Sequence, residues 1–492
     1  MLSNRNRKSS MPTCPERIRS SPPHRQQGRD RSRNNGRRIA SFAVSGLLLA
    51  AVSCSGHHRL PAEPGRAIDP GIAQVLSSIQ AIDNHAHPVL APPLDATEKE
   101  FDALPVSNLE PQSDPPALRP DFPQLGAAWK ALYRFDTPPP LDTAGMQRLN
   151  EARARVKQEH GEQYPQWVLD QARIGTMLAN RVAMGRGVQP PRFLWVPYID
   201  TLLFPLDNSG MASVSPDRKA FFALEDQLRQ RYLSAVGLSA PPPTLDAYLA
   251  QVVTPTLERQ KAGGAVAEKF EVAYLRSFDF SDPPRAQVDR IYSRWIRSVP
   301  PHDSAPDPGD YKLLQDFLFR YIAGECGRLG MAVHLHAMAG GGSYFSIAGV
   351  NPLLLEPVFN DPRLRKTNFV LLHGGWPYVH EIGSLLQKPN VYLDLSGQDL
   401  LLPPRTESRW LREWLEFEPE KVLFGSDGYP YSDAMGWAES TWIASHNARD
   451  AIGLALTGML RDGEVSRDRA SAIARRVLRG NAEKLYHLAG QR

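Results

Sequence analysis

The sequence predicts an α/β fold, a (β/α)8 TIM-like barrel with long helical insertions capping its C-terminal face. Three observations predict it. Eight short apolar runs alternate with amphipathic stretches, the pattern of parallel βαβ units. Several runs end in a histidine or an aspartate, and the C-terminal ends of barrel strands are where functional side chains are delivered. Two intervals, about 90–175 and 197–262, are too long for plain loops, and insertions after barrel strands lie over that same face.

The runs that fit strands fall at 82–85, 176–179, 193–196, 265–270, 331–336, 369–373, 391–395 and 422–426. The amphipathic stretches between and after them are 216–236, 284–298, 309–329, 351–359, 378–387, 405–415 and 437–460. The first insertion is rich in proline and holds a helical stretch at 143–160. The second holds two more around Pro241-Pro242-Pro243. No internal repeat is visible.

The chain has 492 residues, 42% hydrophobic and 22% charged, enough for a large core of ordinary composition. The net charge of +4 comes from the N-terminal segment. Residues 1–38 carry many arginines against only Glu16 and Asp30, and the remainder is acidic. Nothing beyond this leader suggests a nucleic-acid-binding surface. Arg37-Arg38 precede an apolar run, 39–52, that is short for a membrane span and suits the hydrophobic region of a signal peptide. Ala51-Val52-Ser53-Cys54 resembles a bacterial lipoprotein signal, with Ala51 where leucine is usual. Residues 1–53 therefore read as a basic leader and lipoprotein-type signal, 54–70 as a tether, and 71–492 as the folded part. The expectation is an exported protein held at a membrane by lipid on Cys54 and facing the periplasm or exterior. Of the three cysteines, Cys14, Cys54 and Cys326, only Cys326 falls in the folded part, so no disulfide framework is available there.

Chemistry concentrates at four strand ends. In Ile82-Asp83-Asn84-His85-Ala86-His87, residues i and i+2 of a strand share a face, so His85 and His87 aim two imidazoles into one space. His334 and His336 repeat that spacing before Gly340-Gly341-Gly342. His373 ends the run 369–373, and Asp427 follows Val422-Leu423-Phe424-Gly425-Ser426. Imidazoles with a carboxylate form a mixed N/O site for zinc or another late first-row ion. Each residue alone also fits a buried structural histidine or, for Asp427, a helix cap. Four such events at strand ends point to a metal centre.

These motifs resemble the amidohydrolase superfamily, and more closely its amidohydrolase-related branch of metal-dependent hydrolases and decarboxylases. The matching segments are the His85/His87 pair, the histidine ending the fifth run, His373-Gly374-Gly375 and Gly425-Ser426-Asp427. The closing Arg479-Gly480-Asn481-Ala482-Glu483-Lys484-Leu485-Tyr486 also resembles that branch. The resemblance spans about residues 80–488 and leaves the insertions uncovered. It implies that His85, His87, one fifth-strand histidine and Asp427 bind one or two divalent ions, most simply zinc. His336, next to the glycine loop, is the favoured fifth-strand ligand, with His334 as the alternative. By the same resemblance His373 binds a second ion or acts on substrate and water, with Asp427 as general base. Lys269, on the fourth run, is either a carbamylated bridge between two metals or a plain cation. Arg276 is either a fork for a substrate carboxylate or a partner in a structural salt bridge. The implied activity is metal-assisted hydrolysis of a C–N or C–O bond in a small molecule. Two alternatives stay open: non-oxidative decarboxylation, and a non-catalytic surface lipoprotein that uses the barrel for binding.

Overall fold

All eight expected strands form, within about three residues of their expected limits: β1 Ala81–Ala86, β2 Ile174–Asn180, β3 Phe193–Val196, β4 Ala267–Phe270, β5 Ala332–His336, β6 Phe369–Leu372, β7 Val391–Asp394 and β8 Val422–Leu423. The structure is a computed structural model, and it describes residues 67–92, 115–297, 305–340 and 342–488. The basic leader, the apolar run 39–52, Cys54 and most of the tether lie outside the described residues. No helix among the described residues is long and apolar enough to cross a membrane.

The strands pair in parallel, in chain order, as a three-stranded sheet β1-β2-β3 and a five-stranded sheet β4-β5-β6-β7-β8. Strands β1, β4, β5 and β6 are buried along their whole length, as parallel strands covered on both faces must be. Lys269 lies level with His334, and His336 with Leu372. Backbone bonds also cross both gaps between the sheets. Lys269 N–H donates to Pro197 O (2.8 Å) and Ile199 N–H to Lys269 O (3.0 Å). On the other side, Asn84 N–H donates to Phe424 O and Asp427 N–H to His85 O, both at 2.8 Å.

The long helices carry the start and stop signals their sequences advertise. Pro216–Ala235 has Ser215 as N-cap with proline at the first turn, and Pro308–Leu329 is capped by Asp307 and ends on Gly330 at φ 65°. Helix Pro404–Phe417 buries Trp410, Leu411, Trp414 and Leu415 on one face, and the Trp414 indole N–H donates to Val379 O (2.8 Å). Two expected helices are altered. The stretch 351–359 breaks into a 3-10 turn, Pro352–Leu355, and one turn of helix, Glu356–Phe359, because Pro357 cannot donate an N–H through the junction. The stretch 378–387 is a 3-10 segment, Ile382–Gln387, stopped where Lys388, ahead of Pro389, turns extended.

The two long insertions behave differently. The described part of the first holds helices Pro123–Tyr133, Thr143–His160 and Tyr164–Gln171, and its Pro115 and Leu118 line the main cavity. None of the cavity-lining residues comes from 197–262. That insertion holds itself together and supports the cavity from outside its lining. Tyr232 O–H donates to Tyr198 O (2.5 Å), and Asp217 accepts from Tyr344 N–H (3.3 Å), bracing a segment that does line the cavity.

Candidate metal centre

Four strand ends build the floor of a cavity of about 630 Å3. His85 and His87 leave β1 and its end on one side, as the i, i+2 spacing predicts. Their Nε2 atoms each lie 3.4 Å from Asp427 Oδ1. One ligand atom from each of these three residues falls within 4.8 Å of the others, a spacing that one cation can share. His87 is oriented from behind by the Tyr198 hydroxyl, 3.1 Å from Nδ1. Such a partner on the far nitrogen fixes the ring and leaves Nε2 for the site. Asp427 Oδ2 accepts from the Tyr431 hydroxyl (3.0 Å).

Backbone strain marks the same place. Asp427 and His373 have positive φ, 49° and 64°. Outside glycine this region costs about 1–3 kcal/mol per residue and persists only where surrounding bonds impose it. Here His85 O accepts from Asp427 N–H, and Asp394 Oδ1 accepts from His373 N–H (2.9 Å). Gly397, at φ 75°, passes so close that a Cβ there would sit 3.3 Å from both Asp427 Oδ2 and His373 Nδ1. Glycine is what lets that backbone pass.

The electrostatics suit cation binding. Burial, reinforced by the Lys269 ammonium, holds His85 well below the ordinary histidine pKa. Burial does the same to His373, down to about 4. Burial pushes Asp427 upward, but His373, His85 and His87 around it outweigh that and hold it well below the usual carboxylate range. Neutral imidazoles facing an ionised carboxylate are the protonation states a divalent cation requires.

The other predicted residues divide. His373 lines the cavity, its ring 5.1 Å from His85 and 4.6 Å from His336. Its Nδ1 meets Ser396 O at 3.1 Å, while the Ser396 hydroxyl donates to Asp394 Oδ1 (2.6 Å). Nδ1 therefore carries the proton and Nε2 keeps its lone pair. A ring in that state is a base or a ligand, not an oxyanion donor.

His336 lines the cavity and stands outside the three-residue cluster. Its Nε2 donates to Met338 O (3.0 Å) and its Nδ1 faces Glu271 Oε2 at 3.5 Å, so neither nitrogen turns to Asp427. His334 is also set apart. Its Nε2 is taken by the Tyr486 hydroxyl at 2.7 Å, and it is absent from the cavity wall. Lys269 does point at His85, 3.5 Å from Nε2, but its amine forms an ion pair with Glu271 and contacts Asn180 Oδ1 (3.4 Å). Arg276 takes the salt-bridge role and not that of a substrate fork. It is buried, bonded to Asp316 (2.6 Å) and Gln315 (3.0 Å), stacked over Phe280, and does not line the cavity. Its fork is fully used inside the protein.

Glu271, Tyr198, Ser396 and Tyr431 escaped the sequence reading. Two were findable by the rule that found the histidines. Glu271 stands two residues after Lys269, and Ser396 two after Asp394. Tyr198 and Tyr431 sit in irregular segments, where no spacing rule applies.

The family model described as Amidohydrolase matches residues 272–488, a stretch that includes His336, His373 and Asp427. Protein fluG of Emericella nidulans is 25% identical over 233 residues, 46% of this chain and 26% of that protein, so the chain spans about a quarter of the length of this relative. Two solved structures share the fold across most of both chains. Glucuronate isomerase from Caulobacter crescentus superposes with a TM-score of 0.55 at 14% identity, covering 87% of this chain and 96% of its own. A candidate metal-dependent hydrolase from Lactobacillus casei gives 0.54 at 15% identity, covering 86% and 98%. Over residues 272–488 the chain is similar to the amidohydrolase family, and the His85–His87 pair lies outside that stretch. Among the described residues, His85, His87 and Asp427 form the group that could hold a metal ion.

Proposed function

We propose that this protein is a metal-dependent hydrolase that cleaves a C–N or C–O bond of a small molecule. One observation carries the reading: two imidazole nitrogens and a carboxylate oxygen converge at the floor of a cavity large enough for a small substrate. The backbone bonds across both sheet gaps support the expected eight-stranded barrel, with this floor at the strand ends.

Two imidazoles and a carboxylate suit zinc. A divalent ion there would supply Lewis acidity, polarising a carbonyl and bringing the pKa of a bound water to about 7. His85, His87 and Asp427 would hold that ion, and Asp427 would take a proton from the attacking water and return it to the leaving nitrogen or oxygen. Tyr431 fixes Oδ2 of that carboxylate. His373 offers a second proton acceptor at Nε2. Lys269, held by Glu271, presents positive charge beside His85. The test is hydrolysis of a panel of amides, esters and lactones by purified protein. Activity lost on chelation and restored by zinc supports the reading. Hydrolysis that survives complete metal removal contradicts it.

Non-oxidative decarboxylation is the second reading, and the Lys269–Glu271 pair favours it. An ion-paired lysine does not bridge two metals, and a single ion with a cation beside it suits a substrate carboxylate. Carbon dioxide released from aromatic acids by the same protein would establish it.

A further inference from the structure

We infer that the substrate has a flat apolar body, aromatic in the simplest case, with its reacting carbonyl at one end. This rests on the reading of the His85–His87–Asp427 floor as a hydrolytic metal centre, and names the substrate class for that site.

The cavity separates its chemistry by depth. Titratable groups cluster on the floor, and the walls above are largely aromatic and aliphatic. The four histidine rings form a row, His87–His85–His373–His336, with successive centroids 4.9, 5.1 and 4.6 Å apart. Aromatic side chains stand at both ends of that row. Tyr429 packs edge-on against His87 at 5.5 Å, and Tyr431 packs edge-on against Tyr429 at 5.4 Å. At the other end Tyr274 lies 4.6 Å from His336 and meets Phe345 edge-on at 5.2 Å. A planar ring entering between these pairs gains edge-to-face and offset contacts on two sides while its polar end reaches the row.

The rim gives a second, independent observation. Trp376 and Ile347 line the cavity yet are 38% and 51% exposed. Large apolar side chains left in water around a cavity mark a surface that an apolar ligand covers. A polyhydroxylated sugar acid would instead bring many hydroxyls against walls that are mostly apolar and offer few partners beyond the tyrosine hydroxyls and Ser343, which is costly. The similarity to glucuronate isomerase is therefore one of fold and not of substrate.

For a lactone or ester of this class, the water oxygen bonds to the carbonyl carbon and the ring or ester C–O bond breaks. One water proton goes through Asp427 to the departing oxygen, and the products are a carboxylic acid and an alcohol or phenol.

Dihydrocoumarin and D-glucono-δ-lactone are matched six-membered lactones that differ in an aromatic body against a polyol. With the zinc-loaded full chain, kcat/KM for dihydrocoumarin should exceed that for the gluconolactone at least 100-fold. Trp376→Ala and Phe345→Ala should each raise KM for dihydrocoumarin about 10-fold, with metal content unchanged. Calorimetric titration of the same two lactones into metal-depleted protein reads binding without turnover. Preferential binding of dihydrocoumarin without hydrolysis would sink the hydrolase reading and keep the substrate class. Equal or better hydrolysis of gluconolactone would overturn the substrate class and keep the hydrolase. Failure to bind or turn over dihydrocoumarin would also overturn the class.

Discussion

Lys269 and Glu271 form an ion pair at the cavity floor, both fully or almost fully buried, with the Lys269 amine 3.5 Å from His85 Nε2. The pair binds β4 to the metal-site histidines, and the second oxygen of Glu271 faces His336. It is the contact that the plain-cation reading of the lysine rests on.

Breaking this pair from one side leaves the other charge buried and alone. Lys269→Ala should cost about 3–5 kcal/mol of stability, whereas Lys269→Met with Glu271→Leu should cost much less. Denaturant melts of the two single variants and the double variant measure the coupling. Additive losses would mean that the pair contributes nothing as a pair.

Arg276 gives the opposite kind of prediction. Its guanidinium ties Ser277, Asp279, Gln315 and Asp316 together away from the cavity. Arg276→Ala should cost about 3–5 kcal/mol of stability, since Asp316 loses a buried partner. KM of the folded fraction should stay within about 2-fold. A selective rise in KM with no change in melting would restore Arg276 to the substrate site.

Asp83 provides a pH signature. Burial raises its carboxyl from the ordinary aspartate range to about 7, against the bonds it accepts from Ser426 and the His85 N–H. The folded state therefore holds the proton more tightly than the unfolded one. Its contribution is fully present below about pH 4 and is lost as pH rises through about 7, a change on the order of a few kcal/mol. Asp83→Asn should flatten the fall in stability between pH 4 and 7 relative to the native chain. The difference in slope between the two is the readout, and identical slopes would contradict the assignment.

Much of this was legible in the sequence because it follows from period-2 geometry. The spacings of His85 with His87 and of apolar runs with strand ends are local, and local rules recovered the eight strands and the three convergent side chains His85, His87 and Asp427. What tertiary packing decides was not legible. His334 and His336 share a strand face, yet Tyr486 claims one and Glu271 with Met338 claims the other. Arg276 lies six residues from the end of β4, close in sequence to the site, but the long helix Pro308–Leu329 offers Gln315 and Asp316 and draws it away. The insertion 197–262 looked like a cap because its length demanded a place. Its buried tyrosines, Tyr232 and Tyr248, donate to the Tyr198 and Leu202 carbonyls and so tie the insertion to itself, while none of its residues lines the cavity.

The central claim is that His85, His87 and Asp427 form one metal centre. Elemental analysis of the purified protein beside His87→Ala and Asp427→Asn variants tests it most directly, with circular dichroism to establish that each variant is folded. The account predicts about one zinc ion per native chain and at least 10-fold weaker retention in either folded variant. A native chain that takes up no divalent metal, or folded variants that retain it fully, would contradict it.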